Sequence, residues 1–245
     1  MPEFGVNEFG VSHHLRYHDS MPRTERVSAG GYVYHVINRA NARVRIFNTD
    51  IDYQLFETIL EEGKERTGMR ILAYCIMPNH WHLVLYPKHD GGLIQFMSWI
   101  TNTHTRRWHV AKHTIGGGHL YQGRYKSFLC QEDAHFLTLA RYVERNPKKA
   151  NFVNKVEQWK WSSVWRREKG TPQQKKLLSA WPVPQPDNYI SWLNTPQTAE
   201  EEEAIQRSII KNSPFGSDSW IQRTVKKYGL EQTLQPVGRK QKNGG

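Results

Sequence analysis

Two short segments concentrate the side chains able to hold a metal and supply a nucleophile. His80 and His82 stand two apart in His80-Trp81-His82-Leu83-Val84-Leu85-Tyr86, and residues two apart on a strand share a face. Two neutral imidazoles side by side can chelate one divalent cation, with Trp81 turned away. The spacing alone is a weak signal, because half-buried strand histidines also serve as hydrogen-bond partners. Tyr142 and Asn146 lie in Ala140-Arg141-Tyr142-Val143-Glu144-Arg145-Asn146-Pro147. Four apart, they are neighbours on one helix face. The phenol there could attack and the Asn146 amide oxygen could be a third ligand. The competing reading is a core tyrosine and a turn asparagine. Pro147 disfavours helical geometry at Asn146 and predicts that the helix ends there.

The elements that must position these groups are legible in the hydrophobic pattern. Tyr32 to Ile37 reads as a strand, β-branched and aromatic, after Gly30-Gly31. Asn48-Thr49-Asp50 supplies N-cap chemistry for a helix in which Ile51, Leu55, Phe56, Ile59 and Leu60 recur at helical spacing up to Gly68. Arg70 to Met77 is a second strand, Pro78-Asn79 a turn, and His80 to Tyr86 a third strand that Pro87 stops. A long helix runs from Leu93 to about Lys112, a short strand from Lys126 to Gln131, and a helix from Asp133 to Asn146. The order β-α-β-β-α-β-α predicts an α+β fold: a ferredoxin-like split βαβ sheet with helices on one face.

The chain has 245 residues, with 34 Lys+Arg against 23 Asp+Glu and a formal charge of +11. One core plus an extension fits that length. The charge points to an anionic partner, nucleic acid first. Nine Trp and eleven Tyr offer rings on which unpaired bases could stack. Cys75 and Cys130 fit neither a zinc spacing nor a disulfide framework. No apolar run approaches membrane-spanning length and no P-loop motif is present, so a cytoplasmic protein without P-loop ATP chemistry is expected. Residues 1–20 read as a disordered leader, 21–155 as the catalytic domain, 156–237 as a mainly helical and irregular C-terminal extension, and 238–245 as a basic disordered tail. His104, His109 and His113 read as surface or DNA-facing residues.

The two chemical segments also carry a resemblance. Met77-Pro78-Asn79-His80-Trp81-His82-Leu83 resembles the metal strand of single-tyrosine HUH transposases. Tyr121-Gln122-Gly123-Arg124-Tyr125-Lys126-Ser127, Arg141 to Pro147, and Met21-Pro22-Arg23 followed by Tyr34-His35-Val36-Ile37-Asn38-Arg39 resemble the REP-associated branch. Trp161-Ser162-Ser163, Pro214-Phe215-Gly216 and Gly229 to Leu234 resemble the C-terminal extension of its longer members. The terminal Gly238-Arg239-Lys240 has Lys where a Pro would complete a minor-groove hook.

The resemblance implies a sequence- and structure-specific single-stranded DNA endonuclease and strand transferase. Its substrate would be a REP-type palindromic hairpin and its intermediate a 5′-phosphotyrosine on Tyr142. His80, His82 and Asn146 would bind Mg2+ or Mn2+, although two imidazoles by themselves favour zinc or another transition ion. Arg39, Arg43, Arg124, Lys126, Arg141, Arg145 and Lys148 are the candidate DNA contacts. The working form would be a monomer or homodimer. The alternatives are a non-catalytic hairpin-binding protein and a rolling-circle-type HUH nickase.

Overall fold

The computed structural model describes residues 26–235. The leader, Met21-Pro22-Arg23 and the basic tail lie outside the described residues. Four strands, β1 (Val33–Arg39), β2 (Arg70–Met77), β3 (His80–Tyr86) and β4 (Lys126–Cys130), form one sheet in the order β2-β3-β1-β4. Every neighbouring pair is antiparallel, as the split βαβ reading requires. Helix α1 (Asp50–Thr67) joins β1 to β2, α2 (Gly92–Ala111) joins β3 to β4, and α3 (Ala134–Lys149) follows β4. The start of α1 is fixed by Asp52, whose carboxylate accepts from the N–H groups of Asn48 (2.9 Å) and Thr49 (3.0 Å). Gly68 ends it in the left-handed region at φ 67°, where a Cβ would be strained.

The two sheet faces are buried against different helices. Tyr34, Val36, Trp81, Leu83 and Leu85 pack with Phe56, Ile59 and Leu60 of α1 and with Leu93, Phe96, Met97 and Ile100 of α2. Val33, Cys75, Val84 and Phe128 pack with Phe136, Leu139, Ala140 and Val143 of α3. The ferredoxin-like α+β sheet is present, but helices on one face describes α1 and α2 only. The strands are apolar at successive positions, so both faces needed cover, and α3 supplies the second. Each buried side chain of this size stabilises by roughly 1.5–3 kcal/mol.

Helix α3 does not end at Asn146. It continues through Pro147 to Lys149. Pro147 has no N–H to give the carbonyl of Val143, and the Asn146 side chain takes that place. Its Nδ2 donates to Val143 O (3.2 Å) and Tyr142 O (3.0 Å).

The residues after 155 form α4 (Ser163–Lys169), α5 (Pro172–Lys175), α6 (Tyr189–Asn194), α7 (Ala199–Lys211) and α8 (Asp218–Tyr228). They cover both sheet edges, whose unpaired backbone groups would otherwise be open to another chain. On the β2 side, Ile76 donates to Trp161 O (2.9 Å) and Ser179 to Ile71 O (2.8 Å). On the β4 side, Phe215 donates to Leu129 O (2.8 Å) and accepts from Gln131 (2.9 Å). A buried network joins α3 to this segment: the carboxylate of Glu144, fully buried, accepts from Ser163, Arg167 and Tyr189. Among the described residues no helix is long and apolar enough to cross a membrane.

Candidate functional site

Register puts the two histidines on the α3 face. His80 pairs with Arg39 of β1 and Met77 of β2, and His82 pairs with Ile37 and Cys75. Trp81 faces the other way and is fully buried against Phe56, its ring centroid 5.5 Å distant. The imidazoles of His80 and His82 stand 5.1 Å apart, and the phenol of Tyr142 meets His82 edge to face at 6.0 Å. The structure therefore brings His80, His82 and Tyr142 together from a strand and a helix far apart in the chain.

Hydrogen bonds determine which nitrogens stay open. Asn79 Nδ2 donates to the carbonyl of Arg43 (3.2 Å), so its Oδ1 is the atom 2.6 Å from His80 Nδ1. That oxygen can only accept. His80 therefore carries its hydrogen on Nδ1 and leaves Nε2 bare. His82 Nδ1 lies 2.9 Å from His35 Nε2, and among the described residues neither His80 nor His82 makes a hydrogen bond through Nε2. Asn146 likewise spends Nδ2 on two carbonyls, and its Oδ1 makes no hydrogen bond among the described residues.

Burial holds both imidazoles neutral. It lowers His80 to about 4, with the nearby Arg39 charge adding to the effect, and it takes His82 well below the ordinary histidine range. Neutral rings are the form that binds metal. Tyr142 is raised to about 12, first by burial and then by Glu202, while Arg39 and a hydrogen bond from Gln206 pull the other way. Gln206 Nε2, from α7, donates to the phenol oxygen at 2.5 Å.

The bare Nε2 of His80, the Nε2 of His82 and the Asn146 amide oxygen would make a fitting donor set for a divalent cation that must keep positions open for another ligand. No group of three His, Cys, Asp or Glu able to hold a metal occurs among the described residues; a third protein ligand would come from another residue type, and Asn146 offers an amide oxygen.

The basic residues divide into two groups. Arg39 lies beside the histidines, and Arg43, Arg124 and Lys126 are exposed, Lys126 in register with Ile37 on the histidine face. Arg124 and Lys126 also border a cavity of about 450 Å³ along β4 with Arg26, Tyr125 and Lys211. Arg141, Arg145 and Lys148 are turned elsewhere, which corrects their reading as DNA contacts. Arg141 is buried, donates to Thr195 O (2.9 Å) and Pro196 O (2.9 Å), and stacks over Trp192. Arg145, also buried, donates to the carbonyls of Leu193 and Thr195. Lys148 donates to Asn194 O at 2.7 Å. These cations satisfy carbonyls at the end of α6 and fasten the extension to the Tyr142 helix.

His104 also departs from expectation. It is fully buried, stacks on Phe47, and lies 2.6 Å from the hydroxyl of Tyr121, which accepts from Trp81 Nε1 at 3.0 Å. It braces the sheet from the α2 side. The sequence reading missed His35, Asn79 and Gln206 as site residues. The first two sit inside motifs that carried the resemblance, whereas nothing near Gln206 signals its contact.

The sheet thus carries two imidazoles beneath a helix that presents one phenol. Residues 28–146 match the model of the family described as "Transposase IS200 like". The chain is also similar to a Haemophilus influenzae protein named as a REP-associated tyrosine transposase. The two are 22% identical over 152 residues, 59% of this chain and 85% of the relative. Among solved structures it is similar to a REP-associated tyrosine transposase bound to a REP hairpin, with a TM-score of 0.51 and 19% identity, covering 62% of this chain and 89% of that one. That likeness shows the fold.

Proposed function

We propose that this protein nicks and rejoins single-stranded DNA at REP-type hairpins, with Tyr142 as nucleophile. The observation that carries the reading is the convergence of Tyr142 on His82, 6.0 Å between ring centroids, beside a second imidazole with its Nε2 open. The hairpin named with the similar solved structure and the net charge of +11 support the substrate class.

In this reading Tyr142 Oη attacks the scissile phosphorus. The O–P bond forms as the P–O3′ bond breaks, the departing 3′ oxygen takes up a proton, and the 5′ side stays on the tyrosine. Attack by a 3′-hydroxyl reverses the step without ATP. A cation held by His80, His82 and Asn146, Mg2+ or Mn2+, would supply positive charge to the phosphate oxygens. Arg39 and Gln206 each favour the phenolate over the buried phenol. Arg39, Arg43, Arg124 and Lys126 would hold the DNA backbone, on nucleoid DNA in the cytoplasm.

The test is incubation of single-stranded hairpin DNA with Mn2+ and a denaturing gel for a protein–DNA adduct. Native protein gives the adduct and Tyr142→Phe gives none, while hairpin affinity stays within about twofold because surface charge is unchanged. An adduct in the Phe variant assigns the nucleophile elsewhere. Binding without any adduct in the native protein leaves a non-catalytic hairpin binder.

A further inference from the structure

We propose that His35 is a positioning residue for the candidate metal site: it accepts the Nδ1–H of His82 and so directs the bare Nε2 of His82 to the cation. The proposal rests on the reading of His80 and His82 as metal ligands.

The geometry of the two histidines is matched. Each has its Nδ1 occupied by a neighbour, His80 by the Asn79 amide oxygen at 2.6 Å and His82 by His35 Nε2 at 2.9 Å. For His80 the direction of the bond is forced, as the Arg43 contact fixes the Asn79 amide. For His82 only one hydrogen can lie between the two nitrogens. If His35 donated it, a neutral His82 would carry its own hydrogen on Nε2, and that atom could not bind metal. If His82 donates it, Nε2 is bare and the two ligands present the same atom. A metal-binding histidine is commonly held this way, its other nitrogen donating to a fixed acceptor.

His35 is built for the part. It lies on β1, paired with Val84 of β3 and Phe128 of β4, and its ring rests against Phe128 at 4.9 Å. It is fully buried, and among the described residues its own Nδ1 has no hydrogen-bond partner. With His82 donating, that orphaned atom is an N–H, an arrangement unfavourable for the fold by itself. A buried ring that leaves one nitrogen unsatisfied while holding a candidate ligand is placed for the ligand's sake.

The experiment compares Mn2+ affinity, read by electron paramagnetic resonance without DNA, in native protein, His82→Ala, His35→Phe and His35→Gln. His82→Ala should lose the site. His35→Phe should weaken Mn2+ by about 10- to 100-fold with a melting temperature close to native. His35→Gln offers an amide oxygen to the same Nδ1–H and should recover most of the affinity. Nitrogen-15 spectra of the Mg2+-loaded native protein should show the His82 hydrogen on Nδ1. Native affinity in a folded His35→Phe, or the His82 hydrogen on Nε2, overturns the proposal. Undiminished Mn2+ binding in His82→Ala overturns instead the reading of His82 as a metal ligand.

Discussion

Acidification should unfold this protein earlier than its carboxylates alone would require, because three imidazoles are sealed inside it. His35, His82 and His104 are each almost wholly buried, and burial drives His35 and His104 to about 3 and His82 well below the ordinary range. In the unfolded chain each returns to an ordinary value near 6.5. Between these limits the unfolded chain binds protons that the folded protein refuses, so stability falls as pH falls. Above about pH 6.5 nothing is lost, and below the folded values both states are protonated. Going from about pH 7 to about pH 5 removes roughly 2 kcal/mol per ring. His35 and His104 together therefore account for on the order of 4 kcal/mol, and the lowered His82 and His80 act in the same direction. That is comparable with the whole stability of an ordinary domain. Denaturant titrations by circular dichroism, at constant ionic strength with chelator present, measure it directly. His104→Gln, outside the candidate site, should lower the slope near pH 5 by about 1.4 kcal/mol per pH unit. A native stability that is flat between pH 7 and 5, or an unchanged slope in the variant, refutes the reasoning.

Three other outcomes are expected. Asn146→Ala should raise the Mn2+ concentration needed for cleavage; Asn146→Asp should hold that midpoint but melt lower, because a carboxylate would face the carbonyls of Tyr142 and Val143 that Nδ2 now serves. An unaltered midpoint in both folded variants takes Asn146 out of the coordination sphere. Arg145→Met should cost about 1.5–3 kcal/mol by removing its charged hydrogen bonds to the Leu193 and Thr195 carbonyls, of which that of Thr195 keeps Arg141, yet leave the salt dependence of hairpin binding unchanged. Arg39→Ala should instead reduce the slope of log affinity against log salt by about 0.7, the value of one single-strand phosphate contact; equal slopes in native and variant protein would remove Arg39 from the DNA surface.

The shared face of His80 and His82 and the turning away of Trp81 were legible because period-two alternation is a local property. So was Tyr142 with Asn146 one turn later. What escaped depends on partners distant in sequence. Pro147 signals a helix end, and only the Asn146 side chain folding back on Val143 allows the helix to run on. Arg141 and Arg145 look like surface charges until α6 arrives with carbonyls to be satisfied. His35 alternates correctly for a strand, but its meeting with His82 follows from the β1–β3 register, which no single segment encodes. His104 falls on the Leu93, Phe96, Met97 and Ile100 stripe of α2, but as a polar ring it reads as surface until Phe47, brought in from the stretch before α1, stacks on it.

The fastening of α3 by its own cations bears on how such a chain can evolve. The family match stops at residue 146, which invites the view that the remainder was added later and could be exchanged among relatives. Here it could not be exchanged freely. A lineage losing the segment after residue 155 would leave Arg141 and Arg145 without their carbonyls and Glu144 without Arg167, Ser163 and Tyr189. It would also bare both edges of the sheet. A swap of either the helix bearing Tyr142 or the segment that clasps it would therefore demand rewriting of the other.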